Sequence, residues 1–356
     1  MKRKLNRRDF LKLSGLSLAG LALRQFPPGR YEYQPVKMVR VAYDSISVFD
    51  APRDDARTVG YRFRDTLLNL YERLEPETGP AYNPVWYRVW GGYVHSAFTQ
   101  TVDVRLYPAR ESVPAHGLLT EVSVPFSQPY NFTAQEGWTV NPDFFLYYNS
   151  THWITDVVEG PDGEPWYQIT DELFNAFKYY LPAAHLRVFD FDKIAPIAED
   201  VPAADKRIEV SLLHQRLVAY EGDTEVYRTQ VSTGVNRSVP QGQLPTRTPT
   251  GTHYLYSKMP SKHMGQTRLT DVNLNDPSLP GVPWTMFFAE GGYALHGAYW
   301  HSNFGAQMSS GCINLSKEDS LWLFRWTTPV WRPEEVVDLS GWEVRGRGTR
   351  VEVVEE

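Results

Sequence analysis

Cysteine is all but missing from this chain: Cys312 is the single one among 356 residues. That excludes an internal disulfide framework and any metal site built on several thiolates. Basic runs are missing beyond the first dozen residues, and the net charge is −6. The charge pattern therefore excludes a nucleic-acid partner. Long apolar runs are missing as well. The clearest, LSGLSLAGLAL at Leu13–Leu23, has 11 residues, too few to span a bilayer comfortably. Helical periodicity is scarce.

What is present is turn and strand material. The chain has 26 prolines, 25 glycines and 14% aromatic residues, a mix that favours short strands joined by many turns. Hydrophobic residues at 42% and charged residues at 22% are ordinary for a soluble folded protein, and the length calls for two or three domains. The expected class is mainly β.

The first residues read as an export signal. MKRKLNRRDFLK is strongly basic and the short apolar run follows it, the order of an n-region and an h-region. NRRDFLK is similar to a twin-arginine signal, with Arg7, Arg8, Phe10, Leu11 and Lys12 in place. A Sec signal or an uncleaved anchor is the alternative, and only an uncleaved signal would bring a membrane contact. Residues 1–29 are assigned to this segment, and the rest of the chain is expected outside the cytoplasm, at the cell wall, periplasm or cell surface. A lone thiol in an oxidising compartment is exposed to oxidation. Its presence there suggests chemistry, the alternative being a buried inert cysteine.

Along the chain, residues 40–105 carry short β-prone runs such as VWYRVWGGYVHSAF. This stretch resembles the last strands of a bacterial SH3-like domain. A second, diverged copy is expected at 120–195, where Trp166–Tyr167 echoes Trp86–Tyr87. EDVPAADKR, 199–207, reads as a boundary. The next stretch, KRIEVSLLHQRLVAYEGDTEVYRTQVSTG, reads as two strands joined at EGD. YALHG is a short strand ending at His296–Gly297. SKEDSLWLFRW is the best helix, with Ser316 as N-cap and Asp319 three residues on. Residues 341–356 are expected as a C-terminal tail.

Cys312 lies in SSGCINL, on a loop before that helix. A thiol needs a base to become a strong nucleophile and donors for the oxyanion it creates. The small neighbours leave room for a carbonyl to approach Sγ, and the N–H groups of Gly311 and Cys312 are the expected oxyanion donors. His296 is the candidate base and His301 the second. Ser309 is expected to steady the Gly-Cys turn, and Asn314 to bond nearby backbone or touch substrate. Trp300, Tyr299, Trp284 and Phe304 are candidate cleft walls. A metal set of His263, His296, His301 and Cys312 has no common zinc spacing, so no metal is expected.

At these residues the chain resembles the L,D-transpeptidase (YkuD-like) catalytic domain. The match comprises His296–Gly297, then Ser309–Ser310–Gly311–Cys312–Ile313–Asn314, with Thr-Pro-Thr-Gly at Thr248–Gly251 upstream. The resemblance covers roughly 205–340. It implies a β-sandwich with short helices, and the separate likeness upstream puts one or two SH3-like barrels before it. By the same resemblance Cys312 is the nucleophile and His296 the general base, oriented by a backbone carbonyl that sequence does not locate. Gly311, Ser310, Ser309 and Asn314 are the expected oxyanion and supporting residues, Gly297 and Trp300 are expected to meet substrate, and His301 either meets substrate or makes a structural hydrogen bond to loop backbone. One departure stands out: the family usually has histidine where this chain has Ser310.

The activity implied is cysteine acyl transfer from tetrapeptide stems of peptidoglycan to form 3→3 cross-links, without a cofactor. The partners implied are stem peptides and, through the SH3-like modules, the wall polymer. Two other readings use the same sequence. Water as acceptor would make the protein an L,D-carboxypeptidase or hydrolase. An inactive catalytic domain would leave a wall-binding protein.

Overall fold

The computed structural model describes residues 37–77, 80–141, 145–170, 178–264 and 279–356. The expected signal, 1–29, lies outside them. Among the described residues no helix is long and apolar enough to cross a membrane. All of them belong to one unit, Lys37–Glu356, and the fold is mainly β.

Residues 38–102 build two small antiparallel sheets. One has the order Leu67–Asn69, Met38–Val41, Thr99–Val102. The other runs Thr58–Phe63, Ser45–Phe49, Gly92–His95, Trp86–Val89, Glu72–Leu74. Alternation explains the enclosed core: in SISVF only Ile46 and Val48 are fully buried, and they meet Val39, Val41, Leu68, Val89 and Val94. The next region is a seven-stranded antiparallel sheet in the order Gly137–Val140, Tyr130–Thr133, Lys178–Pro182, Pro165–Thr170, Thr151–Glu159, Leu118–Val122, Leu186–Val188.

The two Trp-Tyr pairs sit in matching surroundings. Each lies on a strand followed by a partner strand, one 3-10 turn and a short last strand. The turns are Ser96–Phe98 and Ala183–His185. The sheets around them differ in size, so the likeness is local.

Residues 206–354 form two facing five-stranded sheets. The first has the order Thr224–Gln230, Arg216–Glu221, Lys206–Ser211, Arg350–Val354, Gly251–Tyr254. The second has the order Ile313–Leu315, Tyr293–Gly297, Leu279–Ala289, Ser257–Met264, Val344–Arg345. Ile208, Val210, Leu217, Val351 and Val353 from the first meet Trp284, Met286, Leu295, Ile313 and Leu315 from the second in one core. That is the sandwich arrangement of two apolar sheet faces. Leu119, Trp153 and Phe189 of the preceding region enter the same core. Trp153 stacks on Trp342 with ring centroids 4.6 Å apart.

Three expectations need correction or refinement. Residues 341–356 are not a tail. Arg350–Val354 pairs in parallel with Lys206–Ser211 and antiparallel with Gly251–Tyr254, because its alternating valines, Val351 and Val353, are core residues. The stretch from Lys206 is three strands rather than two. A turn at Leu212–Gln215 breaks it, with Gln215 at φ +48° and its Nε2 donating to the Leu212 carbonyl. The helix Lys317–Trp326 forms where expected, and Ser316 Oγ accepts from the Asp319 N–H at 3.1 Å. The Asp319 carboxylate does not reach back, however. It accepts from Tyr227 Oη and Thr229 Oγ1 instead, so half of the capping box is used.

Candidate active site

Two adjacent strands set the geometry. Tyr293–Gly297 runs parallel to Ile313–Leu315, with Leu295 opposite Ile313 and His296 opposite Asn314. Leu295, Ile313 and Leu315 turn into the sandwich core, which fixes the register. Alternation then places His296 on the face that carries Asn314 and, two residues earlier, Cys312. The nucleophile and base candidates thus come to one face of one strand pair.

The turn holding Cys312 is tightly made. Gly311 has φ +119°, and a Cβ there would lie 2.3 Å from the Tyr293 ring, so only glycine fits. Ser309 Oγ donates to the Cys312 carbonyl at 2.5 Å and accepts the Gly311 N–H at 3.1 Å. Ser309 therefore steadies the turn, as its sequence position suggested. The same bond corrects another expectation. The Gly311 N–H is occupied, which leaves the Cys312 N–H as the open donor of the pair among the described residues. Ser310 is exposed.

Thr248, first residue of the Thr-Pro-Thr-Gly run, is 1% exposed. Its hydroxyl donates to the Gly311 carbonyl and accepts the Gly234 N–H, both at 2.8 Å. One buried hydroxyl thus ties the Cys312 turn to segment 232–234. That segment also pairs with Asn314 through Ser232 and with Ser309 through Gly234.

Cys312 is half-buried. Its thiol donates to the Gly292 carbonyl at 3.9 Å rather than to the histidine. Burial pushes the thiol up to about 11, against a pull from the Ala294 N–H. His296 is buried, and burial pushes it down to about 4, opposed by its bond to Gly297. Its Nδ1–H donates to the Gly297 carbonyl at 3.1 Å. That carbonyl is the orienting group the sequence did not locate. It also leaves Nε2 as the unprotonated, basic nitrogen. Both groups are neutral near pH 7.

The other candidates divide. Trp300 is half-exposed, with its ring 5.7 Å from that of His296, where it can wall the site. Phe304 is half-buried against His301. Trp284 is a core residue between Phe189 and Phe324. Tyr299 is buried, with its hydroxyl on the Pro280 carbonyl. Gly297 is packing: a Cβ there would meet Ser320 Oγ at 2.7 Å and Pro283 at 2.9 Å. His301 is enclosed as well. It is buried, and burial together with His296 pushes it down to about 3. Its Nδ1 accepts the Asn303 N–H at 3.2 Å, and its Nε2 lies 2.9 Å from the Asn314 amide. Among the described residues no group of three or more His, Cys, Asp or Glu could hold a metal.

Sequence reasoning missed Gly292 and Tyr293 entirely, and saw Thr248 only as part of a pattern. The double glycine Gly291–Gly292, both at positive φ in the turn before the histidine strand, was the available signal.

Residues 205–353 match the family model of the L,D-transpeptidase (YkuD) catalytic domain. The L,D-transpeptidase match thus begins at the Lys206 strand and runs into the final strand, beyond the expected end at 340. Solved structures similar to the chain include an Enterococcus faecium L,D-transpeptidase mutant, at 22% identity over 42% of this chain and 50% of that one, with a TM-score of 0.30. Another is a Xylanimonas cellulosilytica L,D-transpeptidase, at 22% over 42% and 60%, with a TM-score of 0.28. A third is from Stackebrandtia nassauensis, at 21% over 46% and 64%, with a TM-score of 0.27. The chain spans 50–60% of the first two. No curated protein matches it.

Proposed function

We propose that this chain is an exported peptidoglycan L,D-transpeptidase that forms 3→3 cross-links through a Cys312 acyl-enzyme. The observation that carries the reading is the shared face of His296 and Cys312 within the segment that matches the L,D-transpeptidase domain. As a carbonyl approaches, His296 Nε2 takes the thiol proton and Sγ attacks the third residue of a tetrapeptide stem, a diamino acid such as meso-diaminopimelate. The oxyanion meets the Cys312 N–H. The C–N bond to the terminal D-alanine breaks, the leaving amine takes the proton from His296, and a thioester remains. An amine of a neighbouring stem attacks it, gives its proton to His296, and releases the thiol. The step needs no cofactor.

Export by the twin-arginine route follows from residues 1–29. Wall binding is assigned to the upstream modules. In residues 38–102 Tyr61, Phe63 and Trp90 are 59%, 65% and 76% exposed, rings of the kind that stack on sugars or peptides.

The test is mass spectrometry of products from the purified protein and disaccharide-tetrapeptide, beside Cys312→Ala. Cross-linked dimers with free D-alanine, both lost in the variant, are expected. Tripeptide and D-alanine without dimers would make water the acceptor. Polymer binding without turnover by either protein would leave only the wall-binding reading.

A further inference from the structure

A loop outside both strands of the site, 236–246, returns to it at its last residues. Thr246 Oγ1 donates to the Val235 carbonyl at 2.7 Å and accepts the Arg237 N–H at 2.9 Å, which closes the loop on itself. The Tyr293 hydroxyl donates to the Pro245 carbonyl at 2.7 Å. The Tyr293 ring is 8% exposed and lies against Gly311, where a Cβ would collide with it. One buried tyrosine thus joins the loop to the residue before the nucleophile.

Leu244 sits on the turn before the histidine strand. A Cβ at Gly291 would lie 2.9 Å from Leu244 Cδ2 and 3.3 Å from the Tyr293 ring. The isopropyl group therefore rests on Gly291, beside that ring. The next residue, Gly292, supplies the carbonyl that accepts the Cys312 thiol. Leu244 is nevertheless 56% exposed. One side of it is seated and the other is open to solvent.

The direction of the acyl transfer says what meets that open side. The pairing of Leu295 with Ile313 and His296 with Asn314 continues to Ala294 opposite Cys312, and the Ala294 N–H bonds the thiol. A strand advances about 3.3 Å per residue, so His296 lies roughly 7 Å along the strand on one side of the thiol and Gly292 roughly 7 Å on the other. The leaving amine takes its proton from His296, so it departs on that side, where Trp300 stands. The acyl residue extends away from the leaving nitrogen, toward Gly292 and Leu244. That residue is a diamino acid, whose side chain starts as a methylene stem and ends in a polar group. Leucine suits the stem, and the polar end continues past it into water.

We propose that Leu244 is a specificity-determining residue whose isopropyl group packs on the methylene stem of the third residue of the donor peptide, and that Tyr293 is the positioning residue that holds it there. This rests on the acyl-transfer reading above.

The test uses the full chain and two disaccharide-tetrapeptides that differ only at the third residue: meso-diaminopimelate, or its homologue shorter by two methylenes. The wild type should favour the longer donor about tenfold in kcat/KM. Leu244→Ala should narrow that ratio to about threefold. Tyr293→Phe keeps the ring and drops the bond to Pro245, and it should narrow the ratio too. Added to Leu244→Ala it should narrow it little further, since one acts through the other. A ratio unchanged in Leu244→Ala overturns the proposal. A Tyr293→Phe protein that loses equally on both donors overturns the positioning role, because a merely structural tyrosine does not tell the donors apart. Calorimetric titration of both donors into Cys312→Ala protein, with and without Leu244→Ala, repeats the comparison without turnover. If the wild type makes no product but Leu244→Ala narrows the difference in affinity, the acyl-transfer reading fails and the Leu244 contact stands. Binding of neither donor overturns both.

Discussion

A thiol held up near 11 beside a histidine held down near 4 is a pair of neutral groups in the resting protein. Cys312 should therefore alkylate slowly at pH 7. Its rate with iodoacetamide should climb with pH beyond 9 as thiolate forms, with no plateau near neutrality. A plateau by pH 8 would instead mean a preformed thiolate–imidazolium pair. As the chain has one cysteine, the reagent reads this site alone. Thr248→Val removes the hydroxyl that joins Gly234 and Gly311 and leaves a buried N–H and a buried carbonyl unpaired. A loss of about 2–4 kcal/mol is expected by denaturant titration, with kcat reduced and Thr248→Ser close to wild type. At this scale the sequence was legible where chemistry restricts residue type. Cys312, His296 and the glycine before the thiol stand out as a set, because few other residue types serve there. The Gly297 and Gly292 carbonyls were illegible, since every residue carries such a group and only the fold selects among them.

Among elements, the helix Lys317–Trp326 is held at both ends. Ser316 caps its start. At its end Lys258 Nζ donates to the Phe324 and Thr327 carbonyls at 2.6 and 2.8 Å, and Lys206 Nζ donates to the Trp326 carbonyl at 2.9 Å. Lys258 is 1% exposed, and burial, with Lys206 nearby, lowers it well below the usual lysine range. Ser316→Ala should cost about 1 kcal/mol. Lys258→Ala should cost more, about 3 kcal/mol, because it opens a cavity and strands two carbonyls. Thermal and denaturant melts of the two variants check the order. The N-cap was readable because its partner is three residues away. The lysines were not, because strand residues far along the chain bring them to the helix end. Likewise, EGD announced the Arg216–Glu221 hairpin through the left-handed Gly222 at φ +60°, whereas the turn after Ser211 has no glycine to mark it.

For the whole molecule, the sequence changes strand character near 199–207, and the regions on either side nevertheless share a core. Leu119 and Trp153 pack with the sandwich. Glu121 accepts from Lys317 Nζ at 2.6 Å, at the start of the helix. Such docking leaves little trace in sequence, because an apolar residue that faces another region looks like one that faces its own. The final strand was misread for a related reason: Arg350–Val354 is short and charged at alternate positions, as an exposed end would be. A chain ending at residue 346 should therefore lose cooperative unfolding by circular dichroism and scanning calorimetry; a tail would be dispensable. The position of this strand also bears on time. Lys206–Ser211 and Gly251–Tyr254 leave the ribosome long before the strand that must lie between them. Until it arrives they hold open edges, which are prone to wrong pairing, and the closing contact spans most of the domain, which slows folding. The site at Cys312 is thus completed late, after synthesis of the domain, and any route that exports it folded has to wait for that last strand.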